Sequence, residues 1–290
     1  MNSPAISIPQ APKSSGDSSI GGILLASGKI SPENAERVLR MQKELGIRFG
    51  EAAQRLGLIT EADIQQVLAR QFDYPYLQAG EKRYDDRLLA AYQPFSPQVE
   101  SLRAVRSQLM LRWFARGRNA LTVIEVNPTD GGAIFSANLA VVFSQLGERT
   151  LLVDANLRQP GLHSVFDLPA GPGLSDVLAG RADSSVIARI DSFISLSVLS
   201  AGTLPPNPLE LLSRPGFAGL NTTLAGAYDV VLYCAAPCSL GADALALAAR
   251  TGGVLLVARK NHTLQADIAA VAEEVVSGGA EVVGAVMVDY

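Results

Sequence analysis

Residues 127–140 stand where a phosphate-binding loop is expected, but the side chains that handle phosphate are missing. The segment reads Asn-Pro-Thr-Asp-Gly-Gly-Ala-Ile-Phe-Ser-Ala-Asn-Leu-Ala and follows an apolar strand predicted over 120–126. A nucleotide-binding P-loop places a lysine and then a serine or threonine directly after its last glycine, where they contact phosphate and Mg²⁺. Here Gly131 is followed by Gly132 in the lysine position and Ala133 in the hydroxyl position. The strand–loop–helix pattern is present without its charged and hydroxyl groups.

Two other predicted strands end in residues that could face the same site. A strand over 149–153 runs into Asp154, with Asn156 and Arg158 close behind, and Cys234 follows a later strand. Ligands of open parallel sheets bind at the carboxyl ends of the strands. We therefore expect these side chains to lie near the loop at 127–140.

The elements that must position these residues alternate between apolar strands and helices from residue 120 onward. The candidate strands are 120–126, 149–153, 195–199, 229–233, 253–258 and 281–288. Such alternation predicts a mostly parallel sheet covered by helices on both faces. We predict an α/β, doubly wound fold for this part of the chain.

A repeated pattern near the N-terminus predicts a separate, all-helical domain. Residues 20–42 and 49–71 match each other at an offset of 29. In each copy a glycine follows the first helix and a serine or threonine caps the second. The pairs are Gly28 with Gly57 and Ser31 with Thr60. The predicted organisation is a disordered tail over 1–19, a helical domain over 20–76, a linker over 77–98 and the α/β domain over 99–290.

A helix predicted from Val99 to Phe114 carries an acid and two guanidiniums. Glu100, Arg103 and Arg106 are spaced by three, and residues three apart share a helix face. The pattern fits an internal ion pair on a solvated face. It fits equally an interface in which Glu of one subunit pairs with Arg of the next.

Composition excludes several classes of function. The 290 residues are 48% hydrophobic and 18% charged, with a net charge of −4, so we expect no nucleic-acid partner. No apolar run approaches the length of a membrane-spanning helix, and the tail has no apolar signal region. Cys234 and Cys238 have no histidine near them in sequence, so we expect no metal site. We expect a cytoplasmic protein.

Residues 99–290 resemble bacterial tyrosine kinases of the polysaccharide chain-length-determinant type (BY-kinases), relatives of the MinD/ParA P-loop ATPases. The motifs that carry the resemblance are Ser136-Ala137-Asn138-Leu139-Ala140, Leu151 to Arg158, Gly173 to Leu178, and Pro205-Pro206-Asn207-Pro208. The resemblance implies a MinD/ParA-like sheet. It also implies that Glu100, Arg103 and Arg106 form the family's ring-forming oligomerisation motif.

The same resemblance implies that the nucleotide site is degenerate. Besides the missing lysine and hydroxyl, Asn156 replaces the second Asp of the Walker A′ motif and Cys234 replaces the Walker B Asp. We expect no tyrosine-rich tail of the kind that the family phosphorylates. The degenerate site comprises Gly131, Gly132, Ala133, Asp154, Asn156, Arg158 and Cys234. We expect no catalytic residue, with Asp154 as a relic, and no cofactor; ATP and Mg²⁺ would bind only if the chain is an active kinase.

The N-terminal repeat resembles the N-terminal domain of type II secretion ATPases, including the MshE-type modules that bind cyclic-di-GMP. The second copy carries the matching residues Arg48, Gly50, Gly57 and Gln71. The first copy has Ser19 in the arginine position. The repeat is therefore either a protein-docking module or a site for cyclic-di-GMP.

Together these features predict a catalytically degenerate, kinase-like regulatory or scaffold protein of exopolysaccharide biosynthesis or export, similar to the EpsG-type branch. Its expected partners are a membrane polysaccharide co-polymerase, which could recruit it to the inner membrane, or an active kinase paralogue. We expect a homo- or hetero-oligomer. The alternatives are an active, autophosphorylating tyrosine kinase and a cyclic-di-GMP-responsive adaptor.

Overall fold

The computed structural model describes residues 19–61, 63–64, 67–68, 77 and 83–289. The chain divides into two compact units, Met1–Tyr74 and Pro75–Tyr290. Among the described residues, no helix combines the length and the apolar character needed to cross a bilayer.

The N-terminal unit has the repeated helical pattern that the sequence predicts. Its helices are α1 (Ile20–Ala26), α2 (Pro32–Leu45) and α3 (Phe49–Arg55). Gly28 and Gly57 each have a φ of 67°, the left-handed conformation expected after a helix end. The Ser31 hydroxyl accepts from the Asn34 N–H at 3.2 Å and caps α2. Both copies of the repeat therefore use the same local stop and start signals.

The second unit begins with two helices and continues as an alternating α/β chain. Its helices are α4 (Leu89–Tyr92), α5 (Pro97–Arg112), α6 (Gly132–Ser144), α7 (Leu162–Val165), α8 (Leu174–Leu178), α9 (Pro208–Ser213), α10 (Pro215–Ala227), α11 (Asp243–Thr251) and α12 (Gln265–Ser277). Its strands are β1 (Ala120–Glu125), β2 (Thr150–Asp154), β3 (Ala188–Arg189), β4 (Leu196–Leu199), β5 (Val230–Ala235), β6 (Gly253–Arg259) and β7 (Glu281–Val288).

The seven strands form one sheet in the order β3-β4-β2-β5-β1-β6-β7. All neighbours are parallel except β3 and β4, which are antiparallel. This confirms the predicted fold and all six predicted strands, with small differences at their ends. Strand β3 is not among the predicted strands, because a two-residue strand leaves no periodic pattern.

Helix α6 begins at the end of the loop that follows β1 and is buried along almost its whole length. Its apolar residues surround the helix axis because it packs between the sheet and the segments before β1. Asn138 is one of its three buried polar residues, with Ser136 and Ser144, and is 2% exposed. The Asn138 amide accepts from the Ala90 N–H at 2.8 Å and donates to the Arg87 carbonyl at 3.0 Å.

The segment assigned to a linker over 77–98 is packed against the α/β domain wherever the structure describes it. Leu88, Ala90 and Ala91 are fully buried. Gln145 adds a hydrogen bond from its Nε2 to the Ala90 carbonyl at 3.0 Å. These buried side chains and the backbone bonds to α6 make residues 83–98 part of the second unit, contrary to the predicted linker.

Candidate functional site

The loop between β1 and α6 has an unusual backbone. Gly131 has a φ of 84° and Thr129 a φ of 75°, both in the left-handed region. A β-branched residue rarely adopts this conformation, which costs on the order of 1–3 kcal/mol. The surrounding contacts must therefore hold the loop in this shape.

Asp130 is the residue that fixes the loop. It is fully buried and accepts hydrogen bonds at Oδ2 from the Asn127 N–H at 3.0 Å and from the Thr263 hydroxyl at 2.8 Å. The Nδ1 atom of His262 lies 3.5 Å from its Oδ1. The segment after β6 is thus tied to the loop through a buried carboxylate.

Glu125, at the end of β1, is a site residue that the sequence analysis missed. Its Oε2 accepts a hydrogen bond from the Gly132 N–H at 3.1 Å, and the Gly131 N–H also stabilises its charge. Burial, as the largest cause, and then the charge of Asp130 raise the pKa of Glu125 despite these donors. One signal was available in the sequence, since Glu125 is the only charged residue of strand β1.

Asp154 lies at the end of β2 and is 1% exposed. Its Oδ2 accepts from the Gly161 and Leu162 N–H groups, each at 3.0 Å, whereas no described atom hydrogen-bonds to its Oδ1. Burial raises the pKa of Asp154 to about 6, against the opposing effect of the backbone donors. Hydrogen bonds therefore hold this carboxylate in place, but they offset only part of the cost of burying its negative charge.

Cys234 pairs directly with Asp154 across β2 and β5. Burial, followed by the negative charge of Asp154, raises the pKa of the Cys234 thiol far above its ordinary range. Burial likewise raises the pKa of Cys238 to about 11. Neither thiol is a thiolate at neutral pH, so neither is an activated nucleophile. In the described part of the chain, no group of three or more His, Cys, Asp or Glu side chains could hold a metal ion.

The remaining residues of the predicted site have local structural partners. The Asn156 side chain accepts from the Gln159 N–H at 3.0 Å. Arg158 forms a two-point ion pair with Asp243, with its Nη2 3.2 Å from Oδ1 and its Nε bonded to Oδ2. Asp243 is buried, so Arg158 neutralises a charge at the start of α11. Gly131, Gly132, Asp154 and Cys234 meet at one edge, while Arg158 faces a neighbouring helix.

The three charged residues of α5 have different surroundings. Glu100 and Arg103 form an ion pair within the helix, which agrees with the simpler of the two interpretations. Arg106 instead donates from Nη1 to the Val142 carbonyl of α6 at 2.6 Å and is half-buried. Arg106 thus helps to pack α5 against α6 within the unit.

The residues of the possible cyclic-di-GMP site have mixed environments. Arg48 is exposed just before α3, and Gly57 has the positive φ already described. Gly50 is buried, and a Cβ atom there would lie 3.0 Å from Ile64. Close helix packing therefore accounts for Gly50, while Gln71 lies outside the described residues.

Several curated proteins are similar to this chain in sequence. A putative tyrosine-protein kinase EpsB of Ralstonia nicotianae is 35% identical over 199 residues, which cover 69% of this chain and 26% of that protein. The tyrosine-protein kinase YwqD of Bacillus subtilis is 31% identical over 205 residues, which cover 71% of this chain and 86% of YwqD. The chain thus matches most of YwqD but about a quarter of EpsB. No protein-family model matches the chain.

Several solved structures are also similar to this chain. The kinase domain of the Escherichia coli tyrosine kinase ETK superposes with a TM-score of 0.68 at 29% identity, covering 73% of this chain and 82% of that one. The chimerical protein CapA2B2 superposes with a TM-score of 0.65 at 30% identity, covering 77% and 97%. The septum site-determining protein MinD of Pyrococcus horikoshii, at 22% identity and a TM-score of 0.50, shares the fold alone.

Proposed function

The chain belongs to the bacterial tyrosine-protein kinase family, and we propose that within it this protein is a catalytically degenerate regulator or scaffold of exopolysaccharide biosynthesis or export. It acts by contact with a partner and does not transfer phosphate. The proposed pathway, exopolysaccharide biosynthesis or export, is inferred from the resemblance of the sequence motifs to those of chain-length determinants. The proposed loss of activity is inferred from the residues around the loop between β1 and α6.

One observation carries the proposal. Where a kinase of this kind would place a lysine, this chain has Gly132, and a carboxylate from Glu125 lies against it. A negative group therefore stands where a positive one is needed. Phosphoryl transfer depends almost wholly on positioning and on neutralising phosphate charge.

The other changes act in the same direction. Ala133 offers no hydroxyl, and Cys234 offers a neutral thiol in place of a carboxylate. Each charge-assisted contact contributes roughly 1.5–3 kcal/mol, so losing the lysine, hydroxyl and carboxylate together removes over about 5 kcal/mol of stabilisation. The residues present do not fit Mg-ATP, and the proposed role involves no chemical step on ATP.

The fold remains well suited to a role in binding partners. The α/β unit contains a seven-stranded sheet, and α5 presents Glu100 with 63% of its side chain exposed. The expected partner is a membrane polysaccharide co-polymerase or an active kinase paralogue, in a homo- or hetero-oligomer. Capture of such a partner by the purified chain, weakened by Glu100→Lys but not by the matched exposed change Glu273→Lys, would support this role.

ATP turnover and phosphotyrosine formation by the purified protein test the loss of activity. An active relative such as YwqD, assayed under the same conditions with Mg²⁺, is the positive control. We expect incorporation at the level of a no-enzyme blank. Incorporation comparable to the control would establish the alternative, an autophosphorylating kinase, and refute the proposal.

A further inference from the structure

The N–H groups that begin α6 form a cradle that could receive an anion. The first N–H groups of a helix have no partner within the helix, and the helix dipole places partial positive charge there. Phosphates bind at such helix ends for this reason. We use the name phosphate cradle for the N–H groups of Gly131 and Gly132 at the start of this 13-residue helix.

We propose that the Glu125 carboxylate is a built-in anion that takes the place of a nucleotide phosphate in this cradle and closes it to nucleotides. The inference rests on the proposed function and deepens it. It explains how the loop stays folded in a protein that does not turn over ATP. Glu125 Oε2 accepts from the Gly132 N–H at 3.1 Å, which is ordinary hydrogen-bond length. The cradle is therefore already paired within the chain.

Space disfavours a side chain at position 132 while residue 125 carries a Cβ atom. A Cβ atom added to Gly132 would lie 3.0 Å from the Glu125 Cβ and 3.4 Å from its Cγ and Cδ. The nearest of these atoms is attached directly to the strand backbone and cannot rotate away. A lysine at 132 would therefore need β1 or the loop to shift by a few tenths of an ångström, and Glu125→Gly, which leaves no Cβ at 125, would remove this contact.

Electrostatic repulsion also disfavours a phosphate in the phosphate cradle. Asp130, fully buried in the same loop, lies near enough for its charge to raise the pKa of Glu125. A phosphate entering the cradle would meet both carboxylates in a partly desolvated site. Such repulsion between like charges is strong at low effective dielectric constant.

Restoration of the nucleotide site with and without Glu125 tests the proposal. One set carries Gly132→Lys, Ala133→Ser and Cys234→Asp in the full chain, and the matched set adds Glu125→Gly. Binding of ADP with Mg²⁺ is measured by calorimetry. We expect the set with Glu125→Gly to bind at least ten-fold more tightly than the set that keeps Glu125. Equal affinity of the two sets, or no binding by either, would overturn the proposal.

A second measurement needs no restored site. In ¹⁵N-labelled protein, Glu125→Gln removes the charge from the cradle while nearly preserving the side-chain shape. The matched control is Glu281→Gln, an exposed change at the start of β7. We expect the Gly132 amide resonance to move with Glu125→Gln and to stay in place with the control. An unmoved Gly132 resonance would show that Glu125 does not occupy the cradle.

The failures of the two proposals can be told apart. ATP turnover by the unmodified chain would refute both proposals, because a nucleotide would then bind with Glu125 in place. Loss of the Glu125 effect in either comparison would remove the built-in anion. The proposed lack of turnover in the unmodified chain would still stand, because it rests on the missing lysine, hydroxyl and carboxylate at Gly132, Ala133 and Cys234.

Discussion

Replacing Asp154 by asparagine should stabilise the α/β unit at neutral pH, which is the reverse of the usual outcome for a buried hydrogen-bonded aspartate. The pKa of Asp154 is raised to about 6 by burial. A carboxyl group whose pKa is higher in the folded state favours folding when protonated. Its favourable contribution is complete below the unfolded pKa near 4 and is lost as the pH rises through 6.

The size of the effect follows from the shift. About two pKa units at about 1.4 kcal/mol each give a penalty of about 3 kcal/mol for ionised Asp154 at neutral pH. Asparagine keeps an oxygen to accept from the Gly161 and Leu162 N–H groups and carries no charge. The stability of Asp154→Asn relative to the unmodified chain should therefore rise by about 2 kcal/mol between pH 4.5 and pH 7.5.

The assay is urea unfolding across this pH range, followed by tryptophan fluorescence. Trp113 is the only tryptophan and is fully buried in the α/β unit, so its signal reports that unit. Asp86→Asn, at an exposed position, is the matched control and should show no such pH dependence. A difference between Asp154→Asn and the unmodified chain that stays constant within about 0.5 kcal/mol from pH 4.5 to 7.5 would refute the reasoning.

Three further changes test the packing that positions the site, each by the same tryptophan-monitored unfolding. Asn138→Ala removes the amide that joins α6 to the segment before it and should cost about 2–3 kcal/mol, because buried backbone groups lose their partners. Arg158→Ala leaves the buried Asp243 uncompensated and should cost about 2–4 kcal/mol, most of which Asp243→Asn should restore in the double variant. Arg106→Ala should cost about 1–2 kcal/mol, since it removes a charged donor to α6, whereas the exposed Arg112→Ala should be within about 0.5 kcal/mol of the unmodified chain.

The features predicted well from the sequence are those encoded by neighbouring residues. Apolar runs of strand length predict a parallel sheet, and the structure confirms it. Ser31 caps α2, and Gly28 adopts the left-handed conformation that its position after a helix predicts. Such signals depend on a few consecutive residues, so no knowledge of the tertiary fold is needed to interpret them.

The absence of a lysine and a hydroxyl at the two positions after Gly131 is also a property of the sequence alone. Gly132 and Ala133 lack the required side chains in any fold, and Cys234 is no carboxylate wherever it lies. What the sequence could not predict is what stands in their place. Glu125 is seven residues before Gly132, and only the turn of the loop brings its carboxylate to the helix end.

The directions of the charged side chains of α5 also depend on the tertiary structure. Spacing by three places Glu100, Arg103 and Arg106 near one helix face, but it does not tell which of them meets α6. The structure pairs Arg103 with Glu100 and turns Arg106 to the Val142 carbonyl. Local sequence therefore determines the elements and the missing groups. Burial and charge compensation depend on contacts between residues far apart in the chain, which exist only once the sheet has assembled. The contact of Glu125 with Gly132 spans seven residues and depends on the turn of the loop between β1 and α6.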